Sequence, residues 1–185
     1  MSQTEKVANP GPLGLLSFGM TTILLNLHNA GIIELSIVIV AMGLALGGAA
    51  QIVAGVTELR IGNTFAGTAF VAYGFFWISL CIIWINPFKE AILSADKISI
   101  GFYLLLWGIF SLFMFIGTLT HNKTMRVVFL SLVMLFFLLA ISDFTNSHSL
   151  TVIAGIVGIF CGSSALYASV AQIVNGEFKR TIFPL

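Results

Sequence analysis

The sequence predicts an all-α integral membrane protein with six transmembrane helices per protomer, and three observations lead there. Of its 185 residues, 58% are hydrophobic and 8% charged, with a mean hydropathy of +1.07. Water-facing domains carry about 25% charged residues. Asp, Glu, Lys and Arg are absent from residues 12–30, 35–57, 65–85, 98–119 and 150–174, and each run reaches the roughly 20 residues needed to cross about 30 Å of hydrocarbon. The apolar residues also come in unbroken blocks, such as FLSLVMLFFLLAI and LLLWGIFSLFMF. A barrel strand would alternate apolar and polar positions over about ten residues.

Residues 1–8 are expected to form a short solvated tail, and residues 9–185 a single membrane domain. The first span, 12–30, starts on NPGP, where a proline is tolerated at the head of a helix. Its middle carries Ser17, Thr21, Thr22 and Asn26, and its end His28 and Asn29. Serine and threonine hydroxyls can bond to the preceding turn of their own helix, but an amide inside hydrocarbon needs a partner. His28 and Asn29 fit either a wet, capped helix end or an outer vestibule.

The second span, 35–57, spaces Gly43, Gly47, Gln51 and Gly55 by four. Small residues in such a stripe let helix backbones approach in lipid, and Gln51 within it is either structural glue or a ligand contact. The third span, 65–85, ends near Trp84, which suits the interfacial belt. The fourth, 98–119, is continuously apolar. The fifth, 124–142, is complete if Arg126 snorkels to the headgroups. The sixth, 150–174, repeats the small-residue stripe with Ala154, Gly158 and Gly162, beside Ser163, Ser164 and Ala165. Cys81 and Cys161 fall within apolar spans and read as packing residues.

With both termini cytoplasmic, the inner segments hold Lys6, Arg60, Lys123, Arg126, Lys179 and Arg180, against Lys89 and Lys97 outside. That asymmetry follows the positive-inside rule. A net charge of +1 implies no nucleic-acid partner. Counted inward at about 1.5 Å per residue, Phe18, Tyr73, Leu132, Gln51 and Ala165 all lie about 11–15 Å deep, near one level of the membrane.

Three stretches, NPGPLGLLSFGMTTILLNLHN, GNTFAGTAFVAYGFFW and CGSSALYAS, together resemble the acetate uptake transporter family. The resemblance runs from Asn9 to about Pro184. At Gly11 the chain departs from the alanine usual in that family. The resemblance implies a hexamer in the cytoplasmic (inner) membrane, with one pore per protomer for acetate and related small monocarboxylates, and succinate as a further candidate. It also implies a hydrophobic constriction, which motif matching puts on Phe18, Tyr73 and Leu132, and a nearby position at Ala165. Thr21, Thr22, Asn26, Gln51 and Thr68 then become candidate pathway contacts, and His28, Asn29, Glu34, Glu58 and Asp143 candidate rim residues.

The chemistry agrees with such a pathway. A short carboxylate offers two acceptor oxygens on an apolar stub. Hydroxyl and amide donors without a fixed Lys or Arg hold it weakly enough to release it. With no ionisable residue inside a central span, passage without a dedicated proton relay is the expectation. The competing class is a neutral-solute channel for urea, ammonia or water. A purely structural four-span-like protein is disfavoured by the intramembrane polar residues. An enzyme is not expected, because no His/Asp/Glu cluster has metal spacing, and no cofactor is called for.

Overall fold

The computed structural model describes residues 8–90 and 92–185. Residues 1–7 of the expected tail, Lys6 among them, lie outside the described residues. Six helices form among the described residues: α1 Gly11–Asn29, α2 Ile37–Arg60, α3 Thr64–Ile85, α4 Lys97–Thr118, α5 Lys123–Thr145 and α6 His148–Phe178. The chain is a multi-pass membrane protein.

Helices α2 to α6 are each long and apolar enough to cross a bilayer, whereas α1 is not on length and composition alone. The reason is in its sequence: Ser17, Thr21, Thr22 and Asn26 dilute the apolar run. They are tolerated because α1 is packed inside the bundle, where its longest contact is with α6 and further contacts are with α2.

Side-chain caps start α3, α4, α5 and α6. Asn63 accepts from the Ala66 amide, Asp96 from Ser99, Asn122 from Met125 and Ser147 from Leu150, each satisfying an orphan donor of the first turn. Asp96 also accepts from the Ser99 hydroxyl, and these bonds hold its carboxyl below the usual aspartate range. Helices α5 and α6 run further than the expected 142 and 174. Asp143 and Glu177 end the hydropathy runs but not the helices, which stop where Asn146 and Lys179 turn left-handed at φ 52° and 51°.

The two small-residue stripes do different work. At the α1–α6 seam, a Cβ on Gly19 would sit 2.7 Å from the Gly162 carbonyl oxygen, and one on Gly162 would sit 2.7 Å from that of Gly19. Only glycine at both positions allows this approach. In α2, residues Gly43–Ala50 wind as a π-helix, a form rare enough to mark functional segments. Its small side chains let Trp77 and Cys81 of α3 close onto the backbone. Cys81 and Cys161 are free and buried, with their thiols against the carbonyls of Val40 and Val128.

Candidate functional site

A cavity of about 230 Å³ opens at the end of the bundle where α1, α3 and α5 begin and α2 and α6 finish. Its mouth carries Asn9, Gly11, Glu58, Asn63, His121 and Gln172. Asn9 fixes the start of α1 by accepting from the Gly11 amide at 3.0 Å, and its own amide donates to Gln172 at 3.3 Å. The opposite, inner end is walled by Phe18, Gln51, Tyr73 and Leu132.

One wall is a run of rings leading inward. His121 lies 4.8 Å from Phe65, Phe65 5.6 Å from Phe129, Phe129 6.3 Å from Tyr73, and Tyr73 6.0 Å from Phe18, centroid to centroid. Such tilted contacts are favourable aromatic geometries. Tyr73 is held by its hydroxyl. The Ser111 hydroxyl donates to the Trp107 carbonyl at 2.7 Å, so the Tyr73 O–H donates to Ser111 at 2.9 Å. The phenol oxygen is thereby occupied by α4, and Phe18, Tyr73 and Leu132, brought together from three helices, line the cavity with apolar surface.

Polar atoms at this level lack partners. Both amide atoms of Gln51, the hydroxyls of Ser17, Thr21 and Thr22, and the Trp77 indole nitrogen are buried without a hydrogen bond among the described residues. Unpaired buried donors and acceptors each cost about 1–3 kcal/mol, so a cluster of them marks a place where water or a ligand completes the bonding. Ser17 and Thr21, one helical turn apart, share a face of α1. Thr21 meets Trp77 over Gly47, a turn along α2 from Gln51.

The remaining expected pathway residues separate from this group. Asn26 donates to the Thr22 carbonyl at 2.8 Å and accepts from Asn29 at 3.0 Å, and its side chain fills the gap left by Gly158. Asn26 therefore faces α6, and none of Ser17, Thr21, Thr22 and Asn26 lines the cavity, so that among the residues with unpartnered polar atoms Gln51 alone is on its wall. Ala165 is fully buried in the core but is not on the cavity wall. Thr68 sits on the exposed side of α3, facing away from the cavity.

At the other end of the bundle His28 contacts the Ile33 carbonyl at 3.1 Å. Glu34 is exposed there and Asp143 half-buried, near Lys97, whose ammonium bonds to Asn146. Glu58, by contrast, was expected at a rim and is only 3% exposed.

Sequence reasoning missed Phe65, Ala69, Met125, Phe129 and Gln172 as wall residues. A helical signal could have found them, because Phe65 and Ala69 precede Tyr73 at intervals of four. Met125 and Phe129 precede Leu132 at seven and three, and Gln172 follows Ala165 at seven.

Comparison with known proteins matches the chain as a whole. A family model described as the GPR1/FUN34/yaaH family matches residues 1–184. The Succinate-acetate/proton symporter SatP of Escherichia coli (strain K12) is 48% identical over 181 residues, covering 97% of this chain and 96% of that protein. Ammonia transport outward protein 2 of Saccharomyces cerevisiae is 36% identical over 180 residues, covering 94% of this chain and 64% of that one. A solved structure described as that of the bacterial acetate channel SatP superposes with a TM-score of 0.95 at 47% identity, covering 97% of this chain and 99% of that one.

Proposed function

We propose that this chain, which belongs to the GPR1/FUN34/yaaH family, passes acetate and related small monocarboxylates across the cytoplasmic membrane through the cavity between its helices. The observation that carries this is the inner end of that cavity, where Phe18, Tyr73 and Leu132 converge beside the unpartnered amide of Gln51. The names of the relatives supply the substrate class.

The physical division of labour follows. The Gln51 amide, on the cavity wall, offers a donor to a carboxylate, while the unpartnered Ser17 and Thr21 hydroxyls lie behind that wall. The rings and Leu132 accept the methyl group and exclude a wide hydration shell. Among the described residues no Lys or Arg lines the wall, so the acid is held by neutral donors and released again. The apolar neck sets the size limit, because stripping a carboxylate of water there costs several kcal/mol unless donors replace it. The mouth faces the cytoplasm in this account, as the loop charges require, and six copies assemble with a pore in each.

A neutral solute is the second reading, favoured by the name of the yeast relative. The two are separated by one experiment. Purified protein in liposomes is expected to take up labelled acetate saturably above the rate of empty vesicles, with competition by unlabelled acetate and not by methylammonium. Flux of methylammonium without saturable acetate flux would replace the first reading by the second.

A further inference from the structure

The cavity holds one carboxylate among its described wall residues, and its setting is unusual for a charged group. Glu58 is on the last turns of α2, yet 3% exposed, and its Oε1 lies 3.4 Å from where a Cβ on Gly11 would stand. The groups facing it are neutral: Asn9 and Gly11 at the start of α1, Asn63 at the cap of α3, and Gln172 of α6. Among the described residues the other titratable group at this mouth is His121, exposed and tilted at 55° against Phe65. Arg60 lies on the exposed side of Glu58's own helix. Glu58 thus shares the cavity wall with Asn9, Asn63 and Gln172, where an acid using that cavity meets it.

We propose that Glu58 is the proton-coupling group of transport, exchanging one proton with the acid at the cavity mouth so that the species crossing the neck is the neutral acid. This rests on the transport reading above. The neck formed by Phe18, Tyr73 and Leu132 favours a neutral acid over an anion, because charge is costly to desolvate. At the mouth, two carboxylates at close range cannot both be ionised cheaply, so a pair of them shares one proton. An acid arriving from the neck breaks its O–H bond as an O–H bond forms on Glu58. The acid departs as the anion while Glu58 is neutral, and Glu58 then gives the proton to water at the mouth. One proton and one carboxylate have crossed together, and no net charge has moved. The reverse sequence serves the opposite direction.

The coupling accounts for a symporter and a channel-like bore in one structure, since no moving carrier is needed. It departs from the relay-free expectation, which rested on the absence of an ionisable residue inside a central span.

The test uses the full-length protein in liposomes, with labelled acetate, an internal pH dye and a potential set by potassium and valinomycin; rates in empty vesicles are subtracted. For the unmodified protein, protons and acetate are expected to move one to one, with uptake indifferent to the potential. For Glu58→Gln, acetate counterflow is expected to persist while net uptake loses its proton. Net accumulation then follows the potential, by up to roughly 50-fold at 100 mV for a permeant anion. Glu58→Asp, which keeps the carboxyl, should restore much of the coupling. Unchanged stoichiometry in a Glu58→Gln variant that elutes as the parent does would overturn the proposal. So would potential-driven, proton-free uptake by the unmodified protein, or uncoupling by His121→Gln in place of Glu58→Gln. Should Glu58→Gln fail to fold, Glu58→Ala takes its place, and a folded Glu58→Ala protein that keeps the parent's proton-to-acetate stoichiometry overturns the proposal. Absence of saturable acetate flux in the unmodified protein would remove the transport reading itself, a distinct outcome.

Discussion

Helix α1 buries Ser17, Thr21, Thr22 and Asn26 inside the bundle, while α4 leaves Phe102, Leu106, Phe113 and Ile116 more than half exposed. Both are membrane-length elements of one small protein, yet their chemistry is inverted. Lipid rewards an apolar surface and gives no hydrophobic reason to associate, so α4 is aromatic and aliphatic on its outer side. Its buried side is Gly101, Leu104, Gly108, Ser111 and Thr118. Helix α1 touches protein on nearly every side and can carry groups that lipid would reject. The difference teaches that in this fold low hydropathy within a span marks the element nearest the pathway.

The largest effect expected from breaking that contrast is at the seam holding α1 in place. Gly162→Leu drives a side chain into the Gly19 carbonyl, which cannot yield as a flexible side chain could. Overpacking costs about 1–3 kcal/mol, and more against backbone. Loss of the monodisperse species in detergent is expected, and a thermal midpoint equal to the parent's would contradict the packing account.

Next is Gln51→Leu. Removing two unpartnered amide atoms relieves a desolvation penalty, so stability should hold or rise, while acetate uptake falls by about tenfold or more, a loss of about 1.4 kcal/mol of stabilisation. A drop in thermal midpoint with unchanged uptake per folded protein would make Gln51 structural glue. Asn26→Ala should show the opposite pattern. It opens a gap against Gly158 and strips partners from Thr22 and Asn29, for about 1–3 kcal/mol, with the acetate affinity of the surviving protein unchanged. The smallest effect belongs to the lipid side: Leu106→Ala should move stability by no more than about 0.5 kcal/mol. A large loss there would mean that this face meets another protomer.

Particular residues show what could be read beforehand. Counting depth from the helix starts put Phe18, Tyr73 and Leu132 on one level, and the structure brings them to one cavity end, because rise per residue is nearly constant along a helix. Rotation about the axis is harder to read. Thr68 and Ala69 differ by one residue, yet one is exposed and the other walls the cavity. In an all-apolar helix no polar stripe reveals which side faces inward. Thr21, Thr22 and Asn26 were grouped by helical spacing, and all three are buried in the bundle without lining the cavity, because packing against α2 and α6 and not spacing decides which side meets it. The burial of Glu58 at the cavity mouth was not legible, because its neighbours there include Gln172, 114 positions away. The π-helical turn at Gly43–Ala50 left no mark beyond a run of small residues.

The central claim, that acids pass the neck between Phe18, Tyr73 and Leu132, is tested most directly by the acetate-to-succinate uptake ratio of Leu132→Ala in liposomes. Leu132 is 3% exposed, so truncation costs about 2–5 kcal/mol if packing is all it does. Protein amount and thermal midpoint are therefore matched or corrected for. The account predicts that the ratio shifts toward the longer acid, because the truncated side chain widens the narrowest level. A folded Leu132→Ala protein that keeps the parent's ratio would contradict it.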